Sequence, residues 1–314
     1  MNTSTQHLRT KRWAAVVALT ALGLAACGDD NDTTNSSRGA PDTTATAVTD
    51  TTAAASTTEA LPYPTQVDAT LTEYNIEIPS EIPSGFVRVS ATNNGGMVHY
   101  LLFARIHDGM SYDEWATAFH ENEFAAEGMV DFYGGPNGVQ PGETVSAEMN
   151  LDPGNYVVLC LIPGAGGKSH ASMGMMSSVT VTDGGDAVDL AAQDIEGTVS
   201  LQDGKFVVSP GFDGQGRVLI TNDGAELHEM LITQILEGGS FEEYQSTVSK
   251  GGPPEVSADY KVSQGVAVMA PGRSIIAEID LTEGDYVFVC LAPSMTDMLP
   301  HTMHGEIQLV HFPT

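Results

Sequence analysis

Apolar residues in this chain fall in short runs that Gly, Pro, Asn and Asp interrupt at near-regular intervals. Such a pattern predicts many short strands joined by turns. Strands are predicted over Ala69–Ile78, Phe86–Thr92, Val98–Ile106, Val145–Leu151, Tyr156–Leu161 and Ser178–Thr182. The period changes between Tyr112 and Ala126, where Tyr112, Trp115, Ala116, Phe119 and Phe124 fall on one helical face. Ser111 followed by Glu114 is the signature of a capping box, so a helix is predicted to start there and to end before Gly134-Gly135-Pro136. Downstream the pattern repeats. Strands are predicted over Gly197–Val208, Arg217–Asn222, Glu229–Leu236, Gly265–Met269, Ser274–Leu281, Tyr286–Leu291 and Gly305–Val310, with a helix over Phe241–Ser249.

The repetition is internal duplication. His99 and His228 are 129 residues apart, Pro141-Gly142 and Pro271-Gly272 130, Tyr156 and Tyr286 130, Cys160 and Cys290 130, and His170 and His301 131. Near-constant spacing across five landmarks means that one unit occurs twice. The copies are placed at 65–184 and 189–312, each a normal size for a domain. The predicted fold is all-β: two tandem Greek-key β-sandwiches, each with a short helical insertion. The turn-rich link Thr182-Asp183-Gly184-Gly185-Asp186 is short enough for the two to touch, with a separate core expected in each.

The N-terminus reads as a processing segment. Arg9, Lys11 and Arg12 precede the apolar run Trp13–Leu24, and Leu24-Ala25-Ala26-Cys27 has the form of a lipobox. Residues 1–26 are thus expected to be a lipoprotein signal peptide and Cys27 the lipidated residue, with membrane attachment by the lipid anchor only, at the extracytoplasmic face. Residues 27–64, rich in Thr, Ser and Asp, bury too little apolar surface to offset ordering and read as a disordered tether. The net charge of the whole chain is −29. Three of its 12 basic residues lie in the signal segment, which leaves nine against 41 acidic ones, a formal charge of −32. That balance excludes a nucleic-acid partner, which needs basic patches.

Chemistry concentrates in Tyr156–Val181. An apolar strand ends at Cys160, a Pro/Gly loop carries His170 and Met175, and a second β-rich run follows. With His99 from upstream, these supply the trigonal His₂Cys set with a weak axial Met that blue-copper sites use. Singly, each residue has a plainer reading: a strand-end Cys is usually a buried small hydrophobe, and a loop Met usually packing.

Three stretches together carry a resemblance to the cupredoxin family: Asn94-x-Gly96-x-x-His99; Cys160, His170 and Met175 before the closing strand; and Asp152-Pro153-Gly154-Asn155-Tyr156 leading into the Cys strand. Nine residues, Leu161–Ser169, separate the Cys from the His, a longer loop than plastocyanin's and nearer to nitrite reductase's. The resemblance implies copper held by His99, Cys160, His170 and Met175. In the second copy it implies His228, Cys290 and His301, where His301-Thr302-Met303-His304 departs from pattern. Met303 is expected there as the axial ligand, with His304 or Met298 as substitutes. Of nine histidines, His107, His120, His304 and His311 remain beside His7 and the four proposed ligands; no His-x-His pair supports a trinuclear copper cluster and nothing points to a three-His centre, so the chain is expected not to be an enzyme. The partner implied is a redox or copper-transfer protein, with electron transfer, copper handling or Cu(I) delivery as the task. A metal-free β-sandwich scaffold is the competing reading.

Overall fold

A computed structural model of the chain describes residues 62–164, 166–250 and 259–313. The signal segment 1–26, the lipidation site Cys27 and residues 27–61 of the tether lie outside the described residues.

The first repeat runs through β1 (Thr65–Thr72), β2 (Asn75–Glu77), β3 (Glu81–Pro83), β4 (Gly85–Asn93), β5 (Leu102–Ile106), α1 (Tyr112–Glu121), α2 (Glu123–Glu127), β6 (Val130–Gly134), β7 (Pro136–Asn137), β8 (Thr144–Leu151), β9 (Gly154–Leu159) and β10 (Met176–Thr182). The second runs through β11 (Gly197–Gln202), β12 (Lys205–Val208), β13 (Gln215–Asn222), β14 (His228–Ile235), α3 (Phe241–Val248), β15 (Tyr260–Met269), β16 (Ser274–Asp280), β17 (Gly284–Val289) and β18 (Ile307–Phe312). The result is a β-sandwich of mixed sheets, as the alternation of apolar and polar positions predicts.

Three predicted elements are each divided in two, and the strand expected over Val98–Ile106 starts only at Leu102. The strand expected over Ala69–Ile78 turns back on itself at Tyr74, whose φ of 62° sits in the left-handed region, and becomes the hairpin β1–β2. The strand expected over Gly197–Val208 likewise folds at Gly204 into β11–β12. The helix expected over Tyr112–Ala126 breaks at Asn122, which is extended, ends α1 and caps α2 by accepting from the Ala125 amide. The predicted capping box is present: the Ser111 hydroxyl accepts from Glu114 N and the Glu114 carboxylate from Ser111 N.

The cysteine strands are apolar on both faces for a structural reason. In β9 Tyr156, Val157, Val158 and Leu159 are all buried. One face meets the opposite sheet, and α1, through Trp115 and Phe119, helps to cover the other. In β17 the same division holds, with Val287 packed against Tyr244 and Val248 of α3 while Phe288 faces the main core. Strands covered on both sides lose the two-residue alternation and read as continuous hydrophobic runs.

The two copies do not have separate cores. One sheet runs β12-β11-β13-β16-β8-β4-β1-β2 and the other β18-β17-β14-β15-β6-β5-β9-β10-β3, so both cross from one repeat into the next. The joins are self-complementary: β8 pairs antiparallel with its own counterpart β16, placing Ala147 opposite Ala277, and Pro136 of β7 lies opposite Val266 of β15. Each of those pairs is 130 residues apart, the repeat period itself, so a local two-fold axis passes through the join. Beside it Glu148, only 5% exposed, accepts from Arg88 at 2.9 Å and from Arg217 at 2.6 Å. A single apolar cluster contains both Cys160 and Cys290, and both are free thiols.

Candidate metal centres

Each repeat closes with the same backbone frame. In the first, Cys160 N donates to Met175 O, Ala171 N to Cys160 O, His170 N to Ile162 O and Met175 N to His170 O, all at 2.7–3.2 Å. In the second, Cys290 N donates to Glu306 O, Thr302 N to Cys290 O, His301 N to Ala292 O and Glu306 N to His301 O, at 3.0–3.2 Å. A left-handed glycine precedes the last residue of each set, Gly174 with φ 111° and Gly305 with φ 96°, where a side chain would be strained. This frame draws the loop back over the strand end, so the histidine ring faces the cysteine sulfur.

The upstream histidine is held by a buried asparagine. Asn93 Nδ2 donates to Met97 O at 2.7 Å and to Val139 O at 2.9 Å, while its Oδ1 accepts from Gly95 N at 2.8 Å. Asn222 makes the equivalent bonds to Glu226 O, Met269 O and from Gly224 N. The sequence motif began at Asn94, one residue late; the 129-residue spacing of Asn93 and Asn222 was the available signal.

In the first repeat His99, Cys160 and His170 come together, all buried. Cys160 Sγ lies 3.6 Å from His170 Nδ1 and 4.0 Å from His99 Nδ1, and the two Nδ1 atoms are 3.1 Å apart. An ion bound by two imidazoles at about 2.0 Å and a thiolate at about 2.3 Å in a trigonal plane would space the nitrogens by about 3.5 Å and each nitrogen from the sulfur by about 3.8 Å. The donor triangle therefore fits a metal with sub-ångström adjustment. Met175 is fully buried, and its backbone joins the cysteine strand to the histidine.

Burial lowers the His99 pKa from its ordinary 6.5 to about 4, with the facing His170 adding to the effect, and burial lowers that of His170 as well. Both rings are thus neutral, as metal ligation requires. Burial pushes the Cys160 thiol up to about 12, against opposing hydrogen bonds from the Tyr100 and Ile162 amides. A bound cation is what makes the thiolate accessible at neutral pH.

The second repeat assembles His228, Cys290, His301 and a fourth residue, Glu306. Cys290 Sγ is 3.4 Å from His301 Nδ1 and 3.8 Å from His228 Nδ1, and the imidazole nitrogens are again 3.1 Å apart. Glu306 Oε1 is 2.9 Å from His228 Nδ1 and Oε2 is 3.2 Å from His301 Nδ1. The expected axial residues are elsewhere. Met303 and Met298 are 46% and 48% exposed, and His304 faces Asp297 at 3.1 Å. Glu306 follows His301 by five residues, as Met175 follows His170. Counting forward from the histidine, rather than back from the last strand, would have found it.

The outer shells differ as well. His228 Nε2 meets Asp203 Oδ1 at 2.9 Å, and His301 Nε2 meets Glu226 Oε2 at 3.1 Å. Glu73 stands where Asp203 does, yet it binds the Gly96 and Met97 amides, and His99 Nε2 is buried with no partner among the described residues. Met97 stands in place of Glu226. Burial opposes protonation of His228 and His301, but Glu306 with Asp203 or Glu226 outweighs it and raises both pKa values. Burial, then Glu306 and Glu229, push the Cys290 thiol well above its ordinary range. Glu229, itself raised to about 7 by burial, donates its amide to Cys290 Sγ at 3.4 Å and accepts from Asn137 of the first repeat at 3.2 Å.

No family model and no curated protein matches the chain. Solved structures do. A reduced auracyanin from Roseiflexus castenholzii is 18% identical over 38% of this chain and 99% of its own, with a TM-score of 0.27. A blue copper oxidase from Nitrosomonas europaea is 12% identical over 79% of this chain and 86% of its own, TM-score 0.21. A copper nitrite reductase from the same organism is 12% identical over 80% of this chain and 94% of its own, TM-score 0.21. Scores of this size carry no functional conclusion by themselves. They do correct one expectation. The matches that span about four fifths of the chain include an oxidase and a reductase, so the expectation that this chain is not an enzyme is withdrawn.

Proposed function

We propose that this chain, cupredoxin-like in fold, is a copper protein that exchanges single electrons through its first centre. His99, Cys160 and His170 would hold the ion, with Met175 as the fourth ligand. Copper supplies the one-electron couple; the protein's part is to fix the donors before the ion arrives, so that little moves when the oxidation state changes. The observation that carries this reading is the buried triangle of Nδ1, Nδ1 and Sγ atoms with sides of 3.1, 3.6 and 4.0 Å. A scaffold without metal has no need to bring a thiol and two neutral imidazoles to one point, and a buried polar group is usually placed where it finds a partner.

The same reading puts the protein on the outer face of the cell membrane, with lipid on Cys27 and residues 27–64 as a tether, within reach of a redox or copper-transfer partner. Titrating the purified chain with Cu(II) tests the first centre. An intense thiolate-to-copper visible band that saturates and that Cys160→Ser removes is the expected result. A colourless product in which Cys160→Ser changes nothing would end the reading.

A further inference from the structure

Glu306 is fully buried, and among the described residues its oxygens find no hydrogen-bond partner. They lie 2.9 and 3.2 Å from the Nδ1 atoms of His228 and His301, the same two nitrogens that face Cys290 Sγ at 3.8 and 3.4 Å, so four ligand atoms crowd one buried spot. Among the described residues its ion-pair partners are His228 and His301 alone. A buried carboxylate with no hydrogen bond is among the costliest groups a protein can hold unless a cation sits beside it.

We propose that the second centre is a divalent-ion site, which takes Zn²⁺ or Cu²⁺ and keeps it in the +2 state while the first centre cycles. This rests on the copper reading of the first centre, but the second can be loaded and measured on its own. Charge decides the matter. Cys290 as thiolate and Glu306 as carboxylate bring two negative charges into the cavity, which a divalent ion neutralises and Cu(I) leaves half-compensated. The first centre brings one, from Cys160, with Met175 neutral at the corresponding position; Cu(I) balances it in full. The second shell pushes the same way. Asp203 and Glu226 each accept from an imidazole Nε2 of the second centre, which raises ligand basicity and favours the harder, more highly charged ion. Among the described residues His99 Nε2 has no such partner. The axial ligand is moreover a recognised lever on the potential of such sites.

The test uses the full chain loaded with Cu(II) and reduced stepwise with ascorbate under spin-resonance detection. The Cys160-dependent signal should vanish first and the Cys290-dependent signal persist. Glu306→Met should bring the second reduction at least a hundredfold closer in equilibrium, about 118 mV at 59 mV per tenfold for one electron. Glu306→Gln, nearly isosteric, should move it part of the way, and it serves if the Met variant does not fold. With one equivalent of Zn²⁺ as the sole metal, Cys290→Ser should lose the ion and Cys160→Ser should keep it. Simultaneous reduction of both signals in the wild type, a second reduction that does not move in either Glu306 variant, or zinc held by the Cys160 centre would each overturn the proposal. If the oxidised, copper-loaded chain showed a Cys290-dependent signal and never a Cys160-dependent one, that would instead refute the copper reading of the first centre and leave this one standing.

Discussion

The first and second clusters share a backbone and differ in their side chains. Both hang a histidine loop on the same four amide bonds, both close it with a left-handed glycine, and both hold the upstream histidine with a buried asparagine. On that common frame one cluster ends in a thioether-bearing residue with an unpartnered outer nitrogen, the other in a carboxylate with a further carboxylate behind each ring. Duplication preserves what the main chain dictates, because shifting the frame would displace every ligand together. Electrostatics is free to diverge, because one side chain at the fourth position resets the charge of the cavity without moving the fold.

The sharpest way to break the comparison is to remove one sulfur at a time. Cys160→Ser and Cys290→Ser are each expected to abolish the visible band of their own centre and leave the other intact. If either variant removed both bands, the centres would not be independent. Next in size is the outer shell. Asp203→Asn takes the carboxylate from His228 Nε2 and is expected to weaken metal binding at the second centre by roughly 10–100-fold. Glu73→Gln, at the matching place in the first repeat, should leave its metal affinity unchanged, since Glu73 binds the loop amides rather than the ring. Calorimetric titration of the two variants separates these outcomes.

The metal-free protein offers a pH comparison. His99 has a folded pKa of about 4 against the ordinary 6.5, so its stabilising effect is present above 6.5 and is lost as pH falls towards 4. Between pH 7 and pH 5 that loss is roughly 2 kcal/mol. His228 and His301 have raised pKa values, so their contribution is full below 6.5 and is lost as pH rises through the folded values. Urea unfolding of the metal-free chain at both pH values is therefore expected to show a flatter acid limb in His99→Phe and a steeper one in His228→Gln. Equal slopes in both variants would contradict the assigned shifts. The smallest effect belongs to the join. Glu148→Gln weakens two ion pairs whose arginine side chains are about 30% exposed and should cost only about 1 kcal/mol. A much larger loss would mean that the shared sheets depend on charge rather than on strand pairing.

Much of this was legible in the sequence. The repeat period located five pairs of landmarks, the unbroken apolar runs marked the strands carrying Cys160 and Cys290, and Ser111 with Glu114 gave the start of α1. What escaped were features that depend on three-dimensional pairing. The merging of both sheets across β8–β16 and β6–β15 leaves no local signature, because Ala147 and Ala277 look like any strand residues. Glu306 escaped because a methionine was sought at the fourth position and Met303 lay nearby, whereas the backbone frame fixes the count from the histidine. Asn122 reads as helical by its neighbours, and only its side-chain bond to Ala125 N ends one helix and begins another.

The most direct test of unlike centres on a shared frame is diffraction from a copper-loaded crystal, with anomalous peaks located against the side chains. One ion is expected among His99 Nδ1, Cys160 Sγ and His170 Nδ1, and a second among His228 Nδ1, Cys290 Sγ, His301 Nδ1 and a Glu306 oxygen. Absence of a peak within the first triangle, or a second ion bound by Met303 or His304 with Glu306 turned away, would contradict the account.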